Sequence, residues 1–130
     1  MKRTVIIVCA GLIALLFSGY LALYLWIDGE VKENIRIAEE KYPGKAEDAL
    51  IAYLLDTANP PRNRTKVAIW TLGRIQSEKA IPVLKGLYKN DPEGKTCKGK
   101  HDTVLCQYEI YKALHAVKRN WWPMHARLNK

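Results

Sequence analysis

The residues best equipped for chemistry in this chain are two cysteines and a histidine. Cys97, His101 and Cys106 follow one another with C-x3-H-x4-C spacing in the stretch KTCKGKHDTVLC. Two thiolates and an imidazole are ligands for zinc, and His115 or Asp102 could supply a fourth. The spacing is not that of a standard zinc site, however. A Cys97–Cys106 disulfide accounts for both cysteines with fewer assumptions and leaves His101 an exposed loop residue. No metal and no cofactor is therefore expected. The third cysteine, Cys9, lies in an apolar segment, so Cys97 and Cys106 are the only thiols outside it. An even pair in a small domain points to an oxidising compartment.

Other chemical groups suit binding rather than catalysis. Arg62, Arg64 and Lys66 gather at a helix start, where backbone N–H groups help hold an anion; the plainer reading is a solvated helix start. Trp121 and Trp122 stand beside Lys118 and Arg119, with Arg127 close behind. Such a group suits a partner's hot spot or a lipid interface, or it caps the open end of a helix stack. Glu39 and Glu40 are adjacent and point to different sides of a helix, a poor acid–base pair. Glu47 and Asp48 sit at a helix start, where carboxylates favour the dipole. No nucleophile elbow, glycine-rich phosphate loop or H-E-x-x-H occurs, and an enzyme is not expected. The net charge is +8, and +6 without Lys2 and Arg3. A basic domain attracts anionic lipid, an acidic protein or another polyanion, or is a solvated surface with a positive bias.

These groups hang on elements of two kinds. Residues 4–27 carry no charge. As a helix they would span roughly 36 Å, enough for a ~30 Å hydrocarbon core with some tilt. Tyr20, Tyr24 and Trp26 gather at the far end, where amphipathic rings favour the interface. The run is too long for a secretory signal, and its end, LALYLWIDGE, puts bulky residues where a peptidase needs small ones. An uncleaved anchor over residues 1–27 is expected, followed by a domain over 28–130. Lys2 and Arg3 on one side face Lys32, Arg36 and Lys41 on the other, so charge barely sets orientation. The cysteine pair and the short amino-terminal side favour a cytoplasmic amino terminus and an extracytoplasmic, periplasmic domain.

Beyond Asp28-Gly29, the rest reads as helices. Val31, Ile35, Ala38 and Tyr42 mark one face of a helix over 30–42, ended by Pro43-Gly44. A second helix covers 46–58, with Ala49, Leu50, Tyr53, Leu54 and Thr57 as its stripe, widened by Ile51 and Leu55. Pro60-Pro61 stops it. A third covers 62–76 and is apolar on most sides. Ser77 is a good N-cap for a fourth, in which Ala80, Ile81, Leu84, Leu87 and Tyr88 share a face and Pro82 must lie near the start. A fifth runs from about 103 to 120, lined by Cys106, Ile110, Ala113, Leu114 and Val117. No strand pattern appears.

The helices repeat. LIAYLLDTANP aligns with PVLKGLYKNDP at an offset of 32 residues, and VAIWTLGRIQ with EIYKALHAVK at an offset of 42. The difference makes residues 94–105 an insertion at an inter-repeat turn. KVAIWTLGRIQSEKAIPVLKGLYKNDP resembles a HEAT repeat, particularly the short bacterial type also found in phycobilisome-lyase-like proteins. The match falls on Arg64, Ala68, Leu72, Gly73, Ile75, Ala80, Ile81, Pro82, Leu84, Leu87, Asp91 and Pro92, about 27 residues. His115 departs from it where the pattern has glycine. The resemblance covers no part of the membrane segment; with the apolar run it gives the expected all-α fold, an N-terminal transmembrane helix followed by a short α-solenoid of HEAT-like helix pairs. It also implies a protein-interaction module, a scaffold or accessory subunit of a bacterial envelope complex. The bilayer would be met through residues 4–27, and nucleic acid is not the expected partner. A cytoplasm-facing basic module binding nucleic acid or anionic lipid is the alternative.

Overall fold

A run of two dozen apolar residues satisfies its backbone polar groups most simply as a helix. The computed structural model, which describes residues 2–118, carries that helix well beyond the run: α1 spans Lys2–Lys41 without a break. At ~1.5 Å per residue it is about 60 Å long. It is long and apolar enough to cross a membrane. The helix runs on through Asp28-Gly29, the expected exit from the membrane. A glycine inside a helix costs only about 1 kcal/mol relative to alanine, and a 2.6 Å ion pair from Asp28 to Lys32 spans it. The boundary drawn at residue 27 thus falls inside one rigid element.

The two halves of α1 meet different surroundings. Trp26 is 61 % exposed and Ile27 only 6 %. From there Ile27, Val31, Asn34, Ile35 and Ala38 form a buried stripe at helical spacing. The stripe packs on α2 (Ala46–Leu55). Ala49, Leu50, Tyr53 and Leu54 face inward as the periodicity predicts, whereas Leu55 is exposed. The helix stops short of the expected Ala58 because the Asp56 carboxylate accepts a hydrogen bond from the Ala58 N–H at 2.8 Å. That local bond competes with the helical one. The Tyr42 hydroxyl also bonds to Asp56 and, with the Ala58 N–H, holds its carboxyl below the usual carboxylate range.

The next expected helix is present with an internal irregularity. α3 (Pro61–Asn63) passes through a π-helical turn over Arg64–Ile69 into α4 (Trp70–Arg74). Val67, Ala68, Ile69, Thr71, Leu72 and Gly73 are buried. Asn34 ties α1 to this region: its amide donates to Thr71 Oγ1 at 3.0 Å and to the Lys66 carbonyl at 3.5 Å. α4 then turns sharply. Gln76 takes a left-handed conformation with φ 53°, and the Ser77 N–H reaches back to the Leu72 carbonyl at 3.0 Å, closing the helix in a Schellman pattern. Ser77 Oγ accepts from the Ala80 N–H at 3.2 Å, the N-cap the sequence predicts. A 3₁₀ turn over Glu78–Ala80 leads into α5 (Ile81–Leu87), with Pro82 in its first turn.

α6 (Gln107–Lys118) lies across both α4 and α5. It begins later than expected because the Cys106 N–H goes to Thr65 Oγ1 and the N–H groups of Thr103 and Val104 to the Lys100 carbonyl, and the Gln107 side chain then ties its start to the end of α5. That side chain accepts from the Lys89 N–H at 2.7 Å and donates to the Leu87 carbonyl at 3.3 Å. The crossing with α4 is close. A Cβ on Gly73 would lie 2.9 Å from Ala113 Cα and 3.0 Å from its Cβ. All the described residues outside the loops are helical, and one continuous core joins α1, α2, α4, α5 and α6. The offset of 42 pairs several residues of like burial, but the offset of 32 does not: Tyr53 and Leu54 are buried where Lys85 and Gly86 are exposed. Ala68 and Ile110 are both buried, as are Leu72 and Leu114, while α2 and α5 end 32 residues apart at Leu55 and Leu87.

Two substitutions test this packing. Gly73→Ala must push α6 off α4 and should lower unfolding free energy by about 1–3 kcal/mol, read by denaturant titration. Asn34→Ala should cost about 1–3 kcal/mol through the buried groups it leaves unpaired. Combined with Thr71→Val it should cost less than the sum of the two, a coupling that a double-mutant cycle measures.

Candidate functional site

The segment between α5 and α6 is short of apolar residues, so its order must come from polar bonds. Asp91 supplies them. Its carboxylate accepts from the Thr96 N–H at 2.8 Å, the Thr96 hydroxyl at 2.7 Å and the Lys95 N–H at 3.0 Å. The Thr96 bonds, chiefly, hold its carboxyl below the usual range. Gly94 turns the chain with φ 65°, and a Cβ there would meet Tyr108 Cβ at 2.9 Å and Cys97 Sγ at 3.2 Å. A 3₁₀ turn over Lys95–Cys97 then buries Cys97. At the far end the Cys106 N–H donates to Thr65 Oγ1 at 3.2 Å, fixing the loop to the π-helical turn.

Both cysteines are therefore placed by bonds outside themselves. They are free thiols, with Cys97 Sγ 3.2 Å from Cys106 Sγ and 3.3 Å from the Gly94 carbonyl oxygen. A disulfide requires about 2.05 Å. At 3.2 Å Cys97 and Cys106 are in contact without the expected disulfide bond. Burial pushes the Cys106 thiol up, against a lowering from the Glu109 N–H. His101 is exposed, as expected, but it is not an isolated loop residue. One ligand atom from each of Cys97, His101 and Cys106 lies within 4.8 Å of the others. Neither residue considered as a fourth ligand belongs to this group. Asp102 faces Arg62 at 3.6 Å, and His115 Nδ1 lies 2.9 Å from the Tyr111 carbonyl, one turn back on α6.

The loop borders a cavity of about 680 Å³ between α1, the π-helical turn and the start of α6. Trp26, Arg62, Lys66 and Trp70 line it together with His101 and Cys106. The expected basic edge is thus split. Arg62 and Lys66 face the cavity, but Arg64 turns to the core and its Nε donates to the Leu54 carbonyl at 2.6 Å, capping the end of α2. Arg74 stacks over the Trp70 ring, 5.2 Å from its centroid, and also borders the cavity. Trp70 is half-buried against the core and borders the cavity with its remaining surface. Lys118 is the last described residue of α6, and Arg119, Trp121 and Trp122 lie outside the described residues.

The depressed Asp91 carboxyl has a definite sign. Its contribution to loop order is full above its unfolded value of about 3.9 and is lost as pH falls through the lower folded value. The Lys95 and Thr96 amide resonances should therefore hold their positions to below about pH 4 and move only beneath it. In Asp91→Asn that low-pH transition should be absent. No protein-family model matches this chain, and no curated protein or solved structure does.

Proposed function

We propose that this chain is a single-pass membrane-anchored interaction module, a scaffold or accessory subunit of a bacterial envelope complex. Residues 4–27 cross the bilayer, and residues 28–130 form a small stack of HEAT-like helix pairs. The observation that carries this reading is the unbroken α1. Its apolar first part is exposed over Val5, Leu12, Leu16 and Leu25, while its second part is built into the core. Apolar surface of that extent needs a cover, and lipid is the cover suited to a helix of this length. A jointless helix holds the domain in one orientation at the membrane surface. Trp26 then sits at the interface beside a cavity edged by Arg62 and Lys66. The anchor raises local concentration, and the aromatic and basic groups supply contacts for a protein partner. The tight Gln76-Ser77 turn, the Gly73 crossing and the matched burial of Ala68 with Ile110 and Leu72 with Leu114 at the offset of 42 support the helix-pair reading.

An extracytoplasmic domain is the orientation proposed, although Lys2 and Arg3 on one side of the span face Lys32, Arg36 and Lys41 on the other and charge barely discriminates. The second reading takes the opposite orientation, and what favours it is that two basic side chains, Arg62 and Lys66, line one cavity. A cytoplasm-facing module would present Arg62 and Lys66 to anionic lipid or nucleic acid.

One experiment addresses both. A photo-crosslinking residue placed at Lys66 in cells should give a discrete protein adduct, and the same residue at Lys85, exposed on α5, should not. Adducts to lipid or nucleic acid alone would support the second reading, and none at either position would count against an interaction role. In parallel, a membrane-impermeant maleimide should label Lys85→Cys in spheroplasts with intact membranes; labelling only after lysis would put the domain inside.

A further inference from the structure

We propose that Cys97, His101 and Cys106 form a three-ligand site for a zinc-class divalent ion, with the fourth coordination position open to the adjoining cavity. The sulfur separation is the first ground. At 3.2 Å the two Sγ atoms are more than 1 Å too far apart for a bond. They are only slightly closer than the roughly 3.8 Å that two thiolates adopt around tetrahedral zinc with Zn–S bonds of ~2.3 Å. The third ligand is the second ground. A disulfide has no use for a histidine, yet His101 brings a ring nitrogen within 4.8 Å of both sulfurs. Because its side chain is exposed, a small rotation closes the remaining distance without disturbing the core.

The frame around the ligands exists independently of any ion. Asp91 holds the turn before Cys97, Gly94 allows the chain to pass under Tyr108, and Thr65 receives the Cys106 N–H. These bonds place two thiols on opposite ends of a ten-residue segment and point them at each other. Little ordering is left for metal binding to impose. The charges also balance. Binding takes the thiolate form of both cysteines and releases their two protons to solvent. The thiolates neutralise the ion, so Arg62 and Lys66 across the cavity oppose no net positive charge.

Two sulfurs and one nitrogen leave tetrahedral zinc one position short. Open sites of this kind take water or an exchangeable ligand, whereas structural sites are closed by a fourth protein group. Here His101 and Cys106 both border the cavity, so the free position faces it. An anionic ligand drawn in by Arg62 and Lys66 would meet the ion there. The inference rests on the loop's geometry and holds whichever side of a membrane the domain faces.

The test uses the full-length chain in detergent, reduced and stripped with chelator, then titrated with Co2+ and afterwards Zn2+. One Co2+ per chain should bind with the absorption of a tetrahedral thiolate complex, and an equimolar amount of Zn2+ should displace it. Cys97→Ser should abolish the thiolate charge-transfer band. His101→Ala, an exposed position, should keep the helical circular dichroism of the parent and bind Zn2+ more than tenfold more weakly. Failure of the reduced parent to bind Co2+ would overturn the proposal, as would unchanged affinity in His101→Ala. So would isolation from cells, without reductant, of chain in which Cys97 and Cys106 are already bonded to each other.

Discussion

The architecture depends on one helix meeting two kinds of surroundings. Up to Trp26 the side chains of α1 point outward and are apolar; from Ile27 one stripe of them is buried under α2 and α4. The hydrogen bond from Asn34 to Thr71 sits inside that stripe and fixes the rotation of α1 about its axis. A purely apolar stripe could slide by a turn at modest cost. A buried amide that must find its hydroxyl cannot, because leaving both unpaired costs more than the bond itself contributes.

Other features follow from this docking. Asn34 also reaches the Lys66 carbonyl, in the π-helical turn where the regular bonding pattern is interrupted. The same turn presents Thr65 to the Cys106 N–H and Arg64 to the end of α2. A single irregular turn thus connects the long helix, the second helix and the cysteine loop. The cavity lies against this turn, and its walls come from α1, the turn and its flanking helical segments, the cysteine loop and the start of α6. Trp70 and Arg74 line it opposite Trp26 and Glu30 of α1.

The loop between α5 and α6 obeys a different rule. It has almost no apolar surface to bury, so directional bonds do what packing does elsewhere. Asp91 satisfies two backbone N–H groups and a hydroxyl, and Gln107 clamps the chain just beyond α5. The consequence is a pair of buried sulfurs held in contact by their frame. That arrangement suits shared coordination of an ion better than it suits an inert cross-link, since the histidine between them in sequence is also beside them in space.

Much of the fold was legible in the sequence because it rests on local patterns. The stripe of Val31, Ile35 and Ala38, the Ser77 cap, the placement of Pro82 and the inward face of Ala49, Leu50, Tyr53 and Leu54 all follow from 3.6-residue periodicity and capping chemistry. Where local rules compete, the sequence alone could not choose. Asp28-Gly29 reads as the end of the membrane segment, and whether the chain turns there was open; an ion pair spans it and the helix runs on, with Ile27 and Val31 buried in the core. Residues 56–58 read as helix, but the Asp56 carboxylate takes the Ala58 N–H. The site was legible only as a list of residue types. Which of Arg62, Arg64 and Lys66 faces outward depends on the π-helical turn. Whether Cys97 and Cys106 are bonded, or share space with His101, depends on contacts from Thr65 and Gly94 that lie far off in sequence or demand a special backbone conformation. Sequence determined the helices, because their causes lie within four residues; tertiary structure decided the site, because its geometry is set by segments that meet only on folding.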